Sequence, residues 1–170
     1  MNPLDIKIVA AGEEVRIVAE LAQSIWSSHY AHILEAEQIS YMIEKYQSPE
    51  IIKEQINSGG YVYYLAYWDG KPAGYCGVVA NASERSVFLS KIYVGEGFRR
   101  RGIARSFIKR FIFDNEKDGI NHIWLRVNKR NAGSIEAYKK LGFEISQSVV
   151  QEIGSSFVMD DYKMVLKLQE

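Results

Sequence analysis

Two spacings of apolar residues divide this chain into elements. Val15, Val18, Ala19, Ala22, Ile25 and Trp26 recur every three or four positions, which places them on one helical stripe. Ile39, Met42, Ile43 and Tyr46 repeat that spacing. A third helix is predicted to begin at Ser48-Pro49-Glu50, where a capping serine, a proline at the first helical position and an early acid coincide. Ser58-Gly59-Gly60 ends it. Strand-like runs surround these helices: Ile6 to Val9, Tyr61 to Trp68, Lys71 to Ala80, Val87 to Val94, Ile123 to Val127, a run opening at Phe143, and a last run from about Ser156 to Leu168. Asp69-Gly70 is a strong hairpin turn. Ile103, Phe107, Ile108, Phe111 and Ile112 predict a long helix reaching about Lys117, with Gly119 beyond its end. Ser134 to Leu141 reads as a short helix with Asn131 as its cap and Gly142 past its end. This order predicts an α/β protein, with a mixed sheet carrying helices on its faces.

Composition narrows the function classes. A length of 170 residues predicts one domain, residues 1–170, with a sizeable core. The formal net charge is zero, so no global field favours nucleic acid or an anionic membrane as a partner. No apolar run approaches bilayer-spanning length. The segment Met1 to Asp5 lacks the basic start and apolar stretch of a signal peptide. The lone cysteine, Cys76, has no internal disulfide partner, which fits a reducing cytoplasm. It reads as a small apolar core residue rather than an acyl carrier. His29 and His32 stand three apart without a third ligand, so no metal site is expected.

The chemistry is concentrated in Phe98-Arg99-Arg100-Arg101-Gly102-Ile103-Ala104, between a predicted strand and a predicted helix. The first amides of a helix lack intrahelical partners and carry the positive end of its dipole, which suits a phosphate. Gly102 and Ala104 allow close approach to the backbone, and the arginines add planar donors. Two other phosphate loops fail here. A G-x-G-x-x-G reading from Gly95 meets Arg100 at its last position, and a Walker reading from Gly97 meets Ile103-Ala104 where Lys-Ser/Thr should stand. What remains is Arg-x-x-Gly-x-Ala, from Arg99 to Ala104. It resembles the pyrophosphate loop of the GNAT superfamily of acyl-CoA N-acyltransferases. Downstream, a strand, then Asn131, Ser134-Ile135, Tyr138 and Leu141-Gly142-Phe143, then another strand, is similar to the second half of a GNAT acyl-CoA site.

The resemblance implies a mostly antiparallel central sheet whose Val94 and Val127 ends splay apart. It implies acetyl-CoA as co-substrate and no metal. Backbone groups of Ile92 and Val94 would pair with the pantetheine arm. The loop Arg99, Arg100, Arg101, Gly102, Ile103, Ala104 and Arg105 would hold the pyrophosphate, chiefly through amides. Asn131 would hold the arm, cap its helix, or both. Tyr138 would donate a proton to the leaving thiolate; spacing from Ile135 and Leu141 alone would read it as a core aromatic.

The flanks resemble a narrower group, the bacterial Pai-type spermidine/spermine acetyltransferases. Ser24 to Tyr30, Glu37 to Met42 and Gly154 to Met164 carry this likeness. It implies a small polyamine acceptor, with Tyr30, Glu37, Ser90 and Asp161 as candidate substrate contacts, and it leaves room for a homodimer. An amino acid, an aminoglycoside, a protein N-terminus or a non-catalytic acetyl-CoA-binding module are the alternatives. The general base is left open among Glu35, Glu37, Ser90, Tyr93, Asp160 and Asp161, the last two expected just before the final strand.

Overall fold

The computed structural model describes residues 1–10 and 12–168. Seven strands form one sheet in the order β1-β2-β3-β4-β5-β7-β6. They are β1 (Leu4–Ile8), β2 (Tyr61–Trp68), β3 (Lys71–Asn81), β4 (Ser86–Val94), β5 (His122–Asn128), β6 (Glu144–Gly154) and β7 (Phe157–Lys167). All neighbouring pairs are antiparallel except β4 with β5. The expected mixed, mostly antiparallel sheet is therefore present.

Helices cover both faces. On one side lie α1 (Glu13–His29), α2 (Ala36–Gln47) and α3 (Pro49–Asn57). Their apolar stripes pack on Tyr63, Leu65 and Tyr75. On the other side α4 (Ile103–Asp114) and α5 (Ala132–Lys140) pack on Tyr64, Ala66, Cys76 and Leu125. Strand β2 sends alternate residues into both cores, which is why its sequence is an unbroken apolar and aromatic run. Phe107 and Phe111 of α4 are fully buried, so truncation of either to alanine costs about 3–5 kcal/mol. That burial fixes the helix whose first turn the basic loop enters.

Strand β1 begins two residues earlier than expected, at Leu4, and helix boundaries differ as well. Helix α4 stops at Asp114 rather than near Lys117, because the Asn115 side chain donates to the Phe111 carbonyl at 2.7 Å. A single 3₁₀ turn, Glu116–Asp118, then leads to Gly119 in the left-handed conformation. Helix α5 starts at Ala132, two residues earlier than expected, since Asn131 caps it by accepting from the Ser134 amide at 3.3 Å. Strand β7 matches the run expected from about Ser156 to Leu168, so Asp160 and Asp161 lie inside it and not just before it.

The central strand pair opens the molecule. Strands β4 and β5 pair only from Ser86–His122 to Phe88–Trp124. Beyond that point β4 carries a bulge: Gly77 faces Lys91 while Val78 faces Leu89, so Ser90 is the extra residue. A bulge bends its strand and increases local twist. The Val94 and Val127 ends consequently diverge and leave the ladder on that side of Ile92 to Val94 unpaired.

Candidate active site

The cleft between the diverging strands consists of two pockets. The larger, about 590 Å³, is lined on one side by Ile92, Val94, Phe98, Arg99, Arg100, Gly102, Ile103, Ala104 and Arg105. Gly133, Ser134, Ala137, Tyr138 and Leu141 of the α5 region line the other side. The first intrahelical bond of α4 runs from the Ser106 amide to the Gly102 carbonyl at 3.0 Å. The amides of Ile103, Ala104 and Arg105 precede it and face no intrahelical acceptor. Gly102 has φ 77° with nothing within 4 Å of where a Cβ would lie. Glycine is thus favoured there by backbone conformation, while open space lies above it. Unpartnered amides at a helix start beside open space are chemically suited to an anion.

The arginines of the loop divide. Arg99, Arg100 and Arg105 line the pocket. Arg101 turns away, with its guanidinium carbon 4.9 Å from the Trp68 ring centre and 5.6 Å from that of Phe98.

The smaller pocket, about 310 Å³, contains Trp26, Tyr30, Tyr46, Tyr61, Ser90, Lys91, Arg126, Asn131 and Asp161. The two pockets share Ile92, Tyr93, Ser134 and Tyr138. Tyr138 therefore stands where one opens into the other. Its ring packs edge-on against Phe143, 5.8 Å between centres. Burial, with a smaller contribution from Tyr30, pushes its phenol above the ordinary value, so it stays protonated across the neutral range. Tyr30, Ser90 and Asp161 lie in the smaller pocket together, whereas Glu37 is exposed in the first turn of α2 and outside both pockets.

Residues 19–143 match the model of the Acetyltransferase (GNAT) family. The chain belongs to that family. An uncharacterized N-acetyltransferase of Methanocaldococcus jannaschii is 35% identical over 92 residues, 51% of this chain and 41% of that relative. The chain spans about half the length of the curated relatives it matches. Among solved structures, the PaiA N-acetyltransferase of Thermoplasma acidophilum in complex with coenzyme A superposes with a TM-score of 0.77 at 20% identity, covering 96% of this chain and 99% of that one. Spermidine N-acetyltransferase of Vibrio cholerae in complex with CoA and spermine gives 0.67 at 18% identity, covering 97% and 95%. Both establish the shared fold.

In this GNAT chain the smaller pocket holds a charged residue that its sequence did not single out. Lys91 is 4% exposed. Its ammonium donates to the Tyr46 carbonyl, the Tyr63 hydroxyl and Gln55 Oε1, the last at 3.0 Å. Tyr63 gives its own proton to Gln55 at 2.6 Å, so all three lysine donors are used. Burial nevertheless pushes Lys91 down to about 7. Strand alternation from Val87 and Leu89, which face the α4 side, would put Lys91 on that side too. The Ser90 bulge reverses the alternation and turns it toward α2 and α3. Tyr46, Gln55 and Arg126 were likewise not foreseen. Cys76 is fully buried with its thiol pushed up, as suits a core residue. Among the described residues no helix is long and apolar enough to cross a membrane.

Proposed function

We propose that the protein, over one domain of residues 1–170, transfers an acetyl group from acetyl-CoA to a primary amine by direct attack in a ternary complex. The observation that carries this reading is the junction of the two pockets at Tyr138. A phosphate-sized cradle of amides lies on one side and a polar, aromatic pocket on the other. Acetyl-CoA supplies the activated acetyl thioester. The amides of Gly102 to Arg105 hold its diphosphate, with Arg99, Arg100 and Arg105 adding charge. Backbone groups of Ile92 and Val94, left without a strand partner on the β5 side, pair with the pantetheine arm. Tyr138 directs its hydroxyl at the departing sulfur and stabilises the developing negative charge there. Asn131, 4% exposed, holds the cleft wall as it caps α5.

For the acceptor we propose a polyamine such as spermidine. The rings of Trp26, Tyr30 and Tyr61 and the Asp161 carboxyl offer π-faces and one anion to an alkylammonium. A second reading, an amino acid or a protein N-terminus, is favoured by Arg126, which lines the smaller pocket and keeps guanidinium donors beyond the one given to Gln151. Thiol release from acetyl-CoA decides, with spermidine, amino acids, an aminoglycoside and a short peptide as acceptors. Fastest turnover with spermidine supports the first reading, and turnover confined to carboxylate-bearing amines supports the second. Tight acetyl-CoA binding without turnover on any amine makes the protein a binding module. The buried, unpaired Cys76 accords with a cytoplasmic setting.

A further inference from the structure

Asp161 is the single acidic side chain among the residues that line the smaller pocket. It sits in the interior of β7, paired to Asn128 on β5 and Val149 on β6, so its position is fixed from both sides. It is 9% exposed, and its Oδ1 has no hydrogen-bond partner. A buried, unpaired carboxylate is costly, and cations that could neutralise it are nearby. They are engaged elsewhere: Lys129 pairs with the exposed Asp160 at 2.6 Å, and Arg126 donates to Gln151 at 2.5 Å. Asp161 thus lines the same pocket as Tyr138 with no cation or hydrogen bond tied to Oδ1, which is itself closed to solvent.

We infer that Asp161 is the catalytic base that removes the proton from the acceptor ammonium, directly or through one water. This rests on the acetyltransferase reading above. The carboxylate takes one proton from R–NH₃⁺. The freed nitrogen lone pair forms the N–C bond to the thioester carbonyl, and the C–S bond breaks with its electron pair going to sulfur. The second nitrogen proton restores Tyr138 after Tyr138 has protonated the thiolate. The products are the acetamide and coenzyme A thiol, and Asp161 returns its proton to solvent. Burial and the Asp160 charge raise the carboxyl to about 6, while Arg126 and Lys129 oppose them; this makes it a stronger base than an ordinary carboxylate, and its proton still leaves for solvent above that pH. The Tyr30 phenol, which senses the Asp161 charge, is held protonated by burial; Tyr93 and Tyr138 in the same pocket are likewise raised, and Lys91 there is lowered to about 7.

The test compares wild type with Asp161→Asn, using spermidine, or the most active alkylamine of the panel, from about pH 6 to about pH 10. Acetyl-CoA affinity and thermal midpoint serve as controls for folding, and Asp161→Ser replaces the asparagine variant if that fails them. The expected result is a roughly 100-fold loss of kcat near neutrality, beyond whatever rise in acceptor KM follows from removing the pocket's anion. The gap should close as pH nears the amine's own ionisation, because the amine then arrives neutral. Equal kcat, or a loss confined to KM and constant with pH, overturns the assignment and leaves the acetyltransferase reading intact. Absence of wild-type turnover on every amine overturns both.

Discussion

The two pockets of the cleft are built in different ways. The larger depends on backbone: amides at the start of α4, a left-handed glycine, and the unpaired edge of β4. The smaller depends on side chains brought from the end of α1, from α2, α3, β4 and β7. Backbone can bind the same ligand under many side-chain substitutions, whereas a side-chain pocket changes with each one. This difference separates a shared co-substrate from an acceptor particular to each chain.

Tyr138, at the junction, should give the largest effect. Tyr138→Phe is expected to lower kcat about 100-fold or more, with the acetyl-CoA dissociation constant nearly unchanged. Stopped-flow turnover and calorimetric binding check the two halves, and equal turnover would make the tyrosine a wall residue.

Lys91 tests the side-chain pocket through stability. Its native value, about 7, lies below the ordinary 10.5, so above pH 7 the unfolded chain binds more protons than the native one. Stability should therefore rise with pH across that window, by up to about 2 kcal/mol between about pH 7 and pH 9. Urea unfolding at both pH values measures the rise, and Lys91→Met should abolish it.

Gly102 tests the backbone pocket. Gly102→Val forces a β-branched residue to φ 77°, at a cost of about 1–3 kcal/mol. Acetyl-CoA should bind about tenfold more weakly, while acceptor KM at saturating acetyl-CoA stays put. A loss on the acceptor side instead would erase the division of labour. The smallest effect concerns the arginines. Arg101→Ala should cost stability, about 0.5–1 kcal/mol, and leave acetyl-CoA affinity alone. Arg100→Ala should do the reverse.

The same contrast explains what was legible in the sequence. The loop from Arg99 to Ala104, the Asn131 cap and the Gly142 stop act on their own neighbours in the chain, and local spacing exposes them. The mixed, mostly antiparallel sheet followed from strand and helix alternation together with the family likeness, whereas its strand order came only from the structure. The smaller pocket was mostly hidden because its members stand far apart in the chain. Tyr30, Ser90 and Asp161 were named as candidates, but Asp161 is brought to the pocket by the β5–β7 pairing and Gln151 by the β6–β7 pairing. Lys91 was hidden for a further reason, since one bulged residue reverses the face on which it lies. Its signal was a lysine, next to Ser90, inside a run that is otherwise apolar and aromatic, Val87 to Val94.

A crystal structure with coenzyme A bound is the most direct test of how the cleft works. The diphosphate should lie about 3 Å from the amides that open α4, with the sulfur beside the Tyr138 hydroxyl and Asp161 across the junction. A diphosphate seated away from Gly102 to Arg105, or a sulfur remote from Tyr138, would contradict it.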